Sequence, residues 1–143
     1  MGNHDAAGIH QQIDTIVDRV TAKDLEGLKQ LYAPDVVSFD VEPPLQHVGI
    51  AAKLANWARV FEVFDRVAYE VRDLTVVAGD DMAFGYAFAR LSGTLQNGVA
   101  MDGMWVRVTY CLQKIDGAWL ITHDQVSVPL DILTGKGVVD LQP

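Results

Sequence analysis

Among the ionisable residues in or at the end of strand-like runs, four could do chemistry: Asp40, Arg90, Arg107 and Asp124. Asp40 ends the run S-F-D-V-E-P-P. A carboxylate beside apolar walls loses hydration, its pKa rises, and it then suits proton abstraction next to a carbonyl. The same residue at the solvent end of a strand does no chemistry. Arg90 and Arg107 each interrupt an apolar face, where an arginine needs a partner. A guanidinium grips a carboxylate at two points, which points to an anionic or carbonyl-bearing ligand. The competing reading is an internal ion pair with Asp124 or Asp40 that closes a cavity floor. Trp57, Tyr86 and Trp105, with Phe88, supply flat surfaces that either wall a ligand or fill a core.

The register of one hairpin decides which of these groups meet. Two alternating runs join at Asp116-Gly117, a dipeptide suited to a two-residue turn. That turn sets Ile115 against Ala118, Thr109 opposite Asp124 and Arg107 opposite Val126, so Arg107 and Asp124 share a face. A three-residue turn would bring in His123 and Gln125 instead and turn Asp124 out. His123, under the two-residue turn, points away from the cavity. No His/Cys/Asp cluster has metal-ligand spacing, and Cys111 reads as a small hydrophobe. No glycine-rich phosphate loop follows a strand, so no cofactor is expected.

The elements that carry these residues come as helices first and strands afterwards. Ile9, Ile13, Ile16, Val17 and Val20 recur at helical spacing over residues 5–21. Asp24 caps a short helix with Leu25, Leu28 and Leu31 on one stripe, stopped by Pro34. A strand over 35–41 ends at Pro43-Pro44. A third helix from about Gly49 carries Ile50, Leu54, Trp57 and Phe61 on one face. Strands follow over 67–77, 82–95, 100–115 and 118–128, with turns at 79–81 and 96–98. The order implies an α+β fold, a curved antiparallel sheet wrapped around three N-terminal helices, with an open-ended cavity between them. Residues 1–143 read as one domain, with the weakly patterned tail 130–143 flexible or lying on a partner subunit. Val106, Val108, Tyr110, Trp119 and Ile121 make a second apolar sheet face, which predicts a homodimer.

Composition narrows the function. The 143 residues suffice for one compact core. A net charge of -8 argues against nucleic acid or an anionic membrane as partner. No apolar run reaches membrane-spanning length, residues 1–8 lack the pattern of a signal peptide, and Ala6 breaks a myristoylation motif at Gly2. The single cysteine fits a reducing, cytoplasmic setting.

From Arg107 to Pro129 the chain reads R-V-T, five residues, then D-G-x-W-x-I-x-H-D-Q-x-S-x-P. With the helices-then-strands order, this resembles the NTF2-like superfamily, which includes ketosteroid isomerase, SnoaL-type polyketide cyclases and scytalone dehydratase. The resemblance covers nearly the whole chain and implies a cone-shaped fold. Asp40 matches the position of the catalytic base of ketosteroid isomerase-like proteins, while that enzyme's two oxyanion donors match Ile16 and Thr109, which are not equivalent donors. The hairpin also resembles the association domain of calmodulin-dependent kinase, whose two inward arginines match Arg90 and Arg107. Relatives often carry His-x-His where this chain has His123-Asp124-Gln125. The resemblance implies a pocket protein for a small hydrophobic or carboxylate- or carbonyl-bearing molecule. The alternative is an isomerase, cyclase or dehydratase with Asp40 as general base.

Overall fold

The computed structural model describes the backbone of residues 2–143 and the side chains of residues 5–143. The leader-peptide reading begins on Met1, which lies outside the described residues. Helix α1 (Gly2–Thr21) turns Ile9, Ile13, Ile16 and Val20 inward, all essentially inaccessible. Asp24 caps α2 (Leu25–Lys29) by accepting from Gly27 N at 2.9 Å and pairs with Arg19 at 3.1 Å. After β1 (Tyr32–Phe39) and β2 (His47–Val48), α3 (Ile50–Val63) starts behind Gly49 and runs straight into β3 (Phe64–Ala78). β4 (Met82–Leu95), β5 (Ala100–Met101), β6 (Trp105–Ile115) and β7 (Ala118–Ser127) complete the main sheet.

The strand order is β2-β1-β7-β6-β4-β3, with β5 beside β4. The helices cover one face of the sheet, so the expected α+β cone is the observed architecture. One pairing differs. β1 and β7 run parallel. Helix α3 carries the chain across the cone to the far edge. Three strand reversals then bring β7 alongside β1 in the same direction. Hydrophobic alternation reports which face a residue takes and is blind to strand direction.

The Asp116-Gly117 turn forms as expected, with both residues at positive φ (51° and 82°) and Ile115 opposite Ala118. The register expected further along does not hold. Between Leu112–Ile121 and Cys111–His123 a β-bulge leaves Thr122 without a cross-strand partner. Its hydroxyl donates to Cys111 O at 3.3 Å. Beyond the bulge Asp124 lies opposite Tyr110 rather than Thr109, and Arg107 opposite Ser127 rather than Val126.

The expected strand over 100–115 is broken. β5 pairs with β4, and the chain leaves the ladder over residues 102–104 before β6 begins. Gly103 sits at φ +73°, so close to β4 that a Cβ there would lie 1.7 Å from Leu91 O. The tail forms a small hairpin of β8 (Leu130–Asp131) and β9 (Lys136–Gly137), closed by Val138 N donating to Pro129 O at 2.7 Å. Its turn exposes Ile132 and Leu133.

The two faces of the sheet are assigned oppositely to expectation. Val108, Tyr110, Leu112 and Ile121 are buried under the helices, and Val106 and Trp119 pack against the same core. They are not the outer face proposed for a partner subunit. The outer face carries Met82, Phe84 and Tyr86, all exposed. On β4 the small residues Ala83, Ala87 and Ala89 face inward, where their size lets helices approach the sheet closely.

Candidate functional site

Between helices and sheet lies a cavity of about 700 Å³, within the range of small-molecule sites. Its walls are mostly apolar, with Ile16, Leu91, Val106, Val108 and Val126 from three sides. Its inner end is polar, and Lys53 is the centre of it.

Lys53 projects from the first half of α3, one turn ahead of Trp57 on the same face. Its Nζ donates to Ser38 Oγ (2.9 Å), Asp40 Oδ1 (3.1 Å) and Asp124 Oδ2 (3.0 Å), which uses all three of its protons. Ser38 Oγ also lies 3.0 Å from Asp40 Oδ1 and in short contact with Asp124 Oδ1. Asn56 Nδ2, one turn along α3, donates to Asp40 Oδ2. The Lys53 and Asp124 side chains are 5% and 4% exposed, and that of Asp40 is 16% exposed. The ammonium also lies 5.7 Å and 5.9 Å from the ring centroids of Tyr32 and Trp57.

The electrostatics follow from this geometry. Burial alone pushes the Asp40 carboxyl up, which was the expectation from sequence. The Lys53 charge and hydrogen bonds from Lys53, Ser38 and Asn56 outweigh burial, so Asp40 is held below its ordinary value. Burial pushes the Lys53 ammonium down, but Tyr32, Asp124 and Asp40 push it up further, and it stays charged across the working range. The cluster is therefore one fixed cation between two acidic side chains.

Three phenols complete the inner wall. Tyr32 OH accepts from Trp57 Nε1 at 3.2 Å, and the Tyr69 and Tyr110 hydroxyls lie 3.4 Å apart. Burial raises the pKa of all three, so each remains a protonated donor. One of the Tyr69/Tyr110 protons can bridge the pair, which leaves the other free.

Of the residues singled out in the sequence, Asp40, Trp57 and Asp124 line this cavity. Tyr86, Arg90, Trp105 and Arg107 do not, because they occupy the opposite face of the sheet. Tyr86 is 51% exposed. Arg90 pairs with Glu70 at 3.1 Å and covers the Trp105 ring at 5.0 Å. Arg107 Nε donates to Ser127 Oγ at 3.2 Å on the exposed side. The bulge separates Arg107 from Asp124, and neither arginine offers a grip inside the cavity. His123 faces β1, its Nδ1 2.6 Å from Val37 O and its ring edge-on to Phe39.

Sequence reasoning missed Lys53, Ser38, Asn56 and the three tyrosines. Lys53 falls between Ile50 and Trp57 along the apolar stripe of α3, where a lysine either snorkels to solvent or meets a buried acid. Tyr110 alternates with Val106, Val108 and Leu112, the row of β6 without a charge.

Among the described residues, no three His, Cys, Asp or Glu side chains gather so as to hold a metal ion, and no helix is long and apolar enough to cross a membrane.

Solved structures share the architecture. An NTF2-like protein from Pseudomonas putida KT2440 is 28% identical, with 100% of this chain and 99% of that one covered at a TM-score of 0.89. A nuclear transport factor 2 (NTF2-like) superfamily protein from Salmonella enterica serovar Typhimurium is 16% identical (93% and 96% covered, TM-score 0.78). A ketosteroid isomerase-like protein from Erwinia carotovora atroseptica SCRI1043 is 22% identical (87% and 96% covered, TM-score 0.71). No curated protein matches the chain. The profile of the SnoaL-like domain matches residues 9–131, and with the cone and its polar inner end in view the chain belongs to that family, within the NTF2-like superfamily.

Proposed function

We propose that this protein binds a small, largely apolar molecule in the cone, with a neutral carbonyl or hydroxyl group directed at the Asp40 end. The observation that carries this reading is the combination of an apolar cavity of about 700 Å³ with a polar inner end whose charges are already paired. Asp40 Oδ1 receives Lys53 and faces the Ser38 hydroxyl, while Oδ2 receives only Asn56 and keeps an acceptor position. Phenolic protons stand nearby. A group that both donates and accepts satisfies this wall. A carboxylate would meet Asp40 and Asp124 with Lys53 already committed. Titration with a panel of apolar ketones and hydroxyketones, read by tryptophan fluorescence and native mass spectrometry, tests it. Val106→Phe, which fills the cavity, is expected to weaken binding by about tenfold or more. No binding below millimolar, or equal binding by Val106→Phe, removes the reading.

A second reading, proton transfer at a carbon next to a carbonyl, is favoured by the unfilled Asp40 Oδ2 in a cavity that phenolic donors also line. Because Asp40 is held below the ordinary carboxylate value, it stays ionised, and such a rate is expected to be flat with pH above that value. Deuterium exchange at the α-carbon of a bound ketone tests this. Exchange by the wild type and none by Asp40→Asn supports it, and equal exchange by both excludes it.

We also propose that a second copy covers the outer sheet face. Its support is the exposed apolar row Met82, Phe84 and Tyr86, flanked by Val77 opposite Phe84. Sedimentation of Phe84→Glu is expected to give a monomer and the wild type a dimer. A monomeric wild type at micromolar concentration ends the proposal.

A further inference from the structure

The outer end of the same cavity carries an arginine without a partner. Arg59 of α3 lines the cavity and is exposed. No side-chain hydrogen bond or ion pair engages it among the described residues. The other cation on the wall, Lys53, has all three protons in use. The two stand six positions apart along α3, about 9 Å of axial rise. The cavity therefore has a paired acidic cluster inside, apolar walls between, and a free guanidinium at its rim. Glu42, on the segment after β1, also reaches the rim, and no bond joins it to Arg59.

We infer that Arg59 anchors an anionic group at the mouth, so that the ligand is an amphipathic acid lying with its carboxylate outward and its neutral polar group against Asp40. The inference rests on the cavity being a ligand site. The charges set the orientation. The inner end, with Asp40 and Asp124 against one Lys53, disfavours an anion, while the rim offers a guanidinium fork that matches a carboxylate at two points. The arrangement favours a molecule with its two polar groups at opposite ends of an apolar chain. Glu42 opposes the same anion and limits its affinity.

Calorimetric titration of 9-oxodecanoate and of methyl 9-oxodecanoate tests the inference. The wild type is expected to prefer the acid by about two- to fivefold at low salt, the range of an exposed charge pair with good geometry. Added salt should shrink the preference. Arg59→Gln is expected to lose the preference with ester affinity unchanged, and Glu42→Gln to increase it. An ester that binds as tightly as the acid to the wild type overturns the anchor while leaving the cavity as a ligand site. Equal weakening of both compounds by Arg59→Gln also overturns it. Binding of neither compound overturns the cavity reading and the anchor together.

Discussion

Lys53→Met is expected to destabilise the protein by about 3–5 kcal/mol, because it removes one partner of a buried charge cluster and leaves two acidic side chains without a counter-cation. Such a loss is a large share of the 5–15 kcal/mol typical of a domain, and should lower Tm by roughly 10–15 °C. Its pH dependence separates lost charge pairing from lost packing. In the wild type, Asp40 has a folded pKa below its ordinary 3.8, so its contribution is complete above that value and is lost as pH falls through the lower folded one. Lys53 has a folded pKa above its ordinary 10.5, so its contribution is complete below 10.5 and is lost as pH rises through the higher folded one. These two groups therefore leave stability level between the two ordinary values. In Lys53→Met, Asp40 loses the charge and hydrogen bond that hold it down while burial still pushes it up, so it takes up a proton more readily than the unfolded chain does. Stability should then rise as pH is lowered from about 8 toward 5. Thermal melts of both proteins across that range check the sign. A variant whose stability stays level would show that the cluster is held by packing rather than by charge.

Gly103→Ala is expected to cost about 3 kcal/mol or more. Two effects combine. An alanine at φ +73° is strained by about 1 kcal/mol. Its Cβ would lie 1.7 Å from Leu91 O, a backbone atom that cannot swing away, so the segment over residues 102–104 or β4 must move. Since Gly103, Met104 and Leu91 all line the cavity, ligand affinity should fall with stability. Denaturant midpoints with a binding titration of the same variant measure both. A Tm within a degree or two of wild type would mean that the segment moves freely and does not shape the wall.

The elements were legible because their periods are local. Ile9, Ile13 and Ile16 announce α1, and Asp116-Gly117 announces its turn. The faces were harder. Both rows of β4 are apolar, and the inward row is the one with small residues because helices press on it. On β6 the row with Arg107 and Thr109 was placed inside, although the row with Val106, Val108 and Tyr110 is the drier one. Asp124 does reach the cavity, but by way of a bulge at Thr122 that no turn or periodicity rule reports. Asp40 was found because it interrupts a strand ending. Lys53 was missed because a lysine among apolar helix positions reads as surface until the acids that face it, at positions 40 and 124, are known to be neighbours.

The parallel pairing of β1 with β7 has a consequence for the time at which the site exists. Ser38 and Val37 meet their partners 86 residues further along the chain, at Asp124 and His123. Contacts of such sequence separation form late, because the intervening loop must close before they repay its entropy. During synthesis β1 waits with one edge open, guarded on the other side only by the two residues of β2, until the last long strand has emerged. A nascent chain that stops before β7 has helices and outer strands but no acid at position 124 for Lys53. The final ladder and the Asp124 side of the charge cluster thus close only when β7 arrives, and until then β1 keeps an open strand edge.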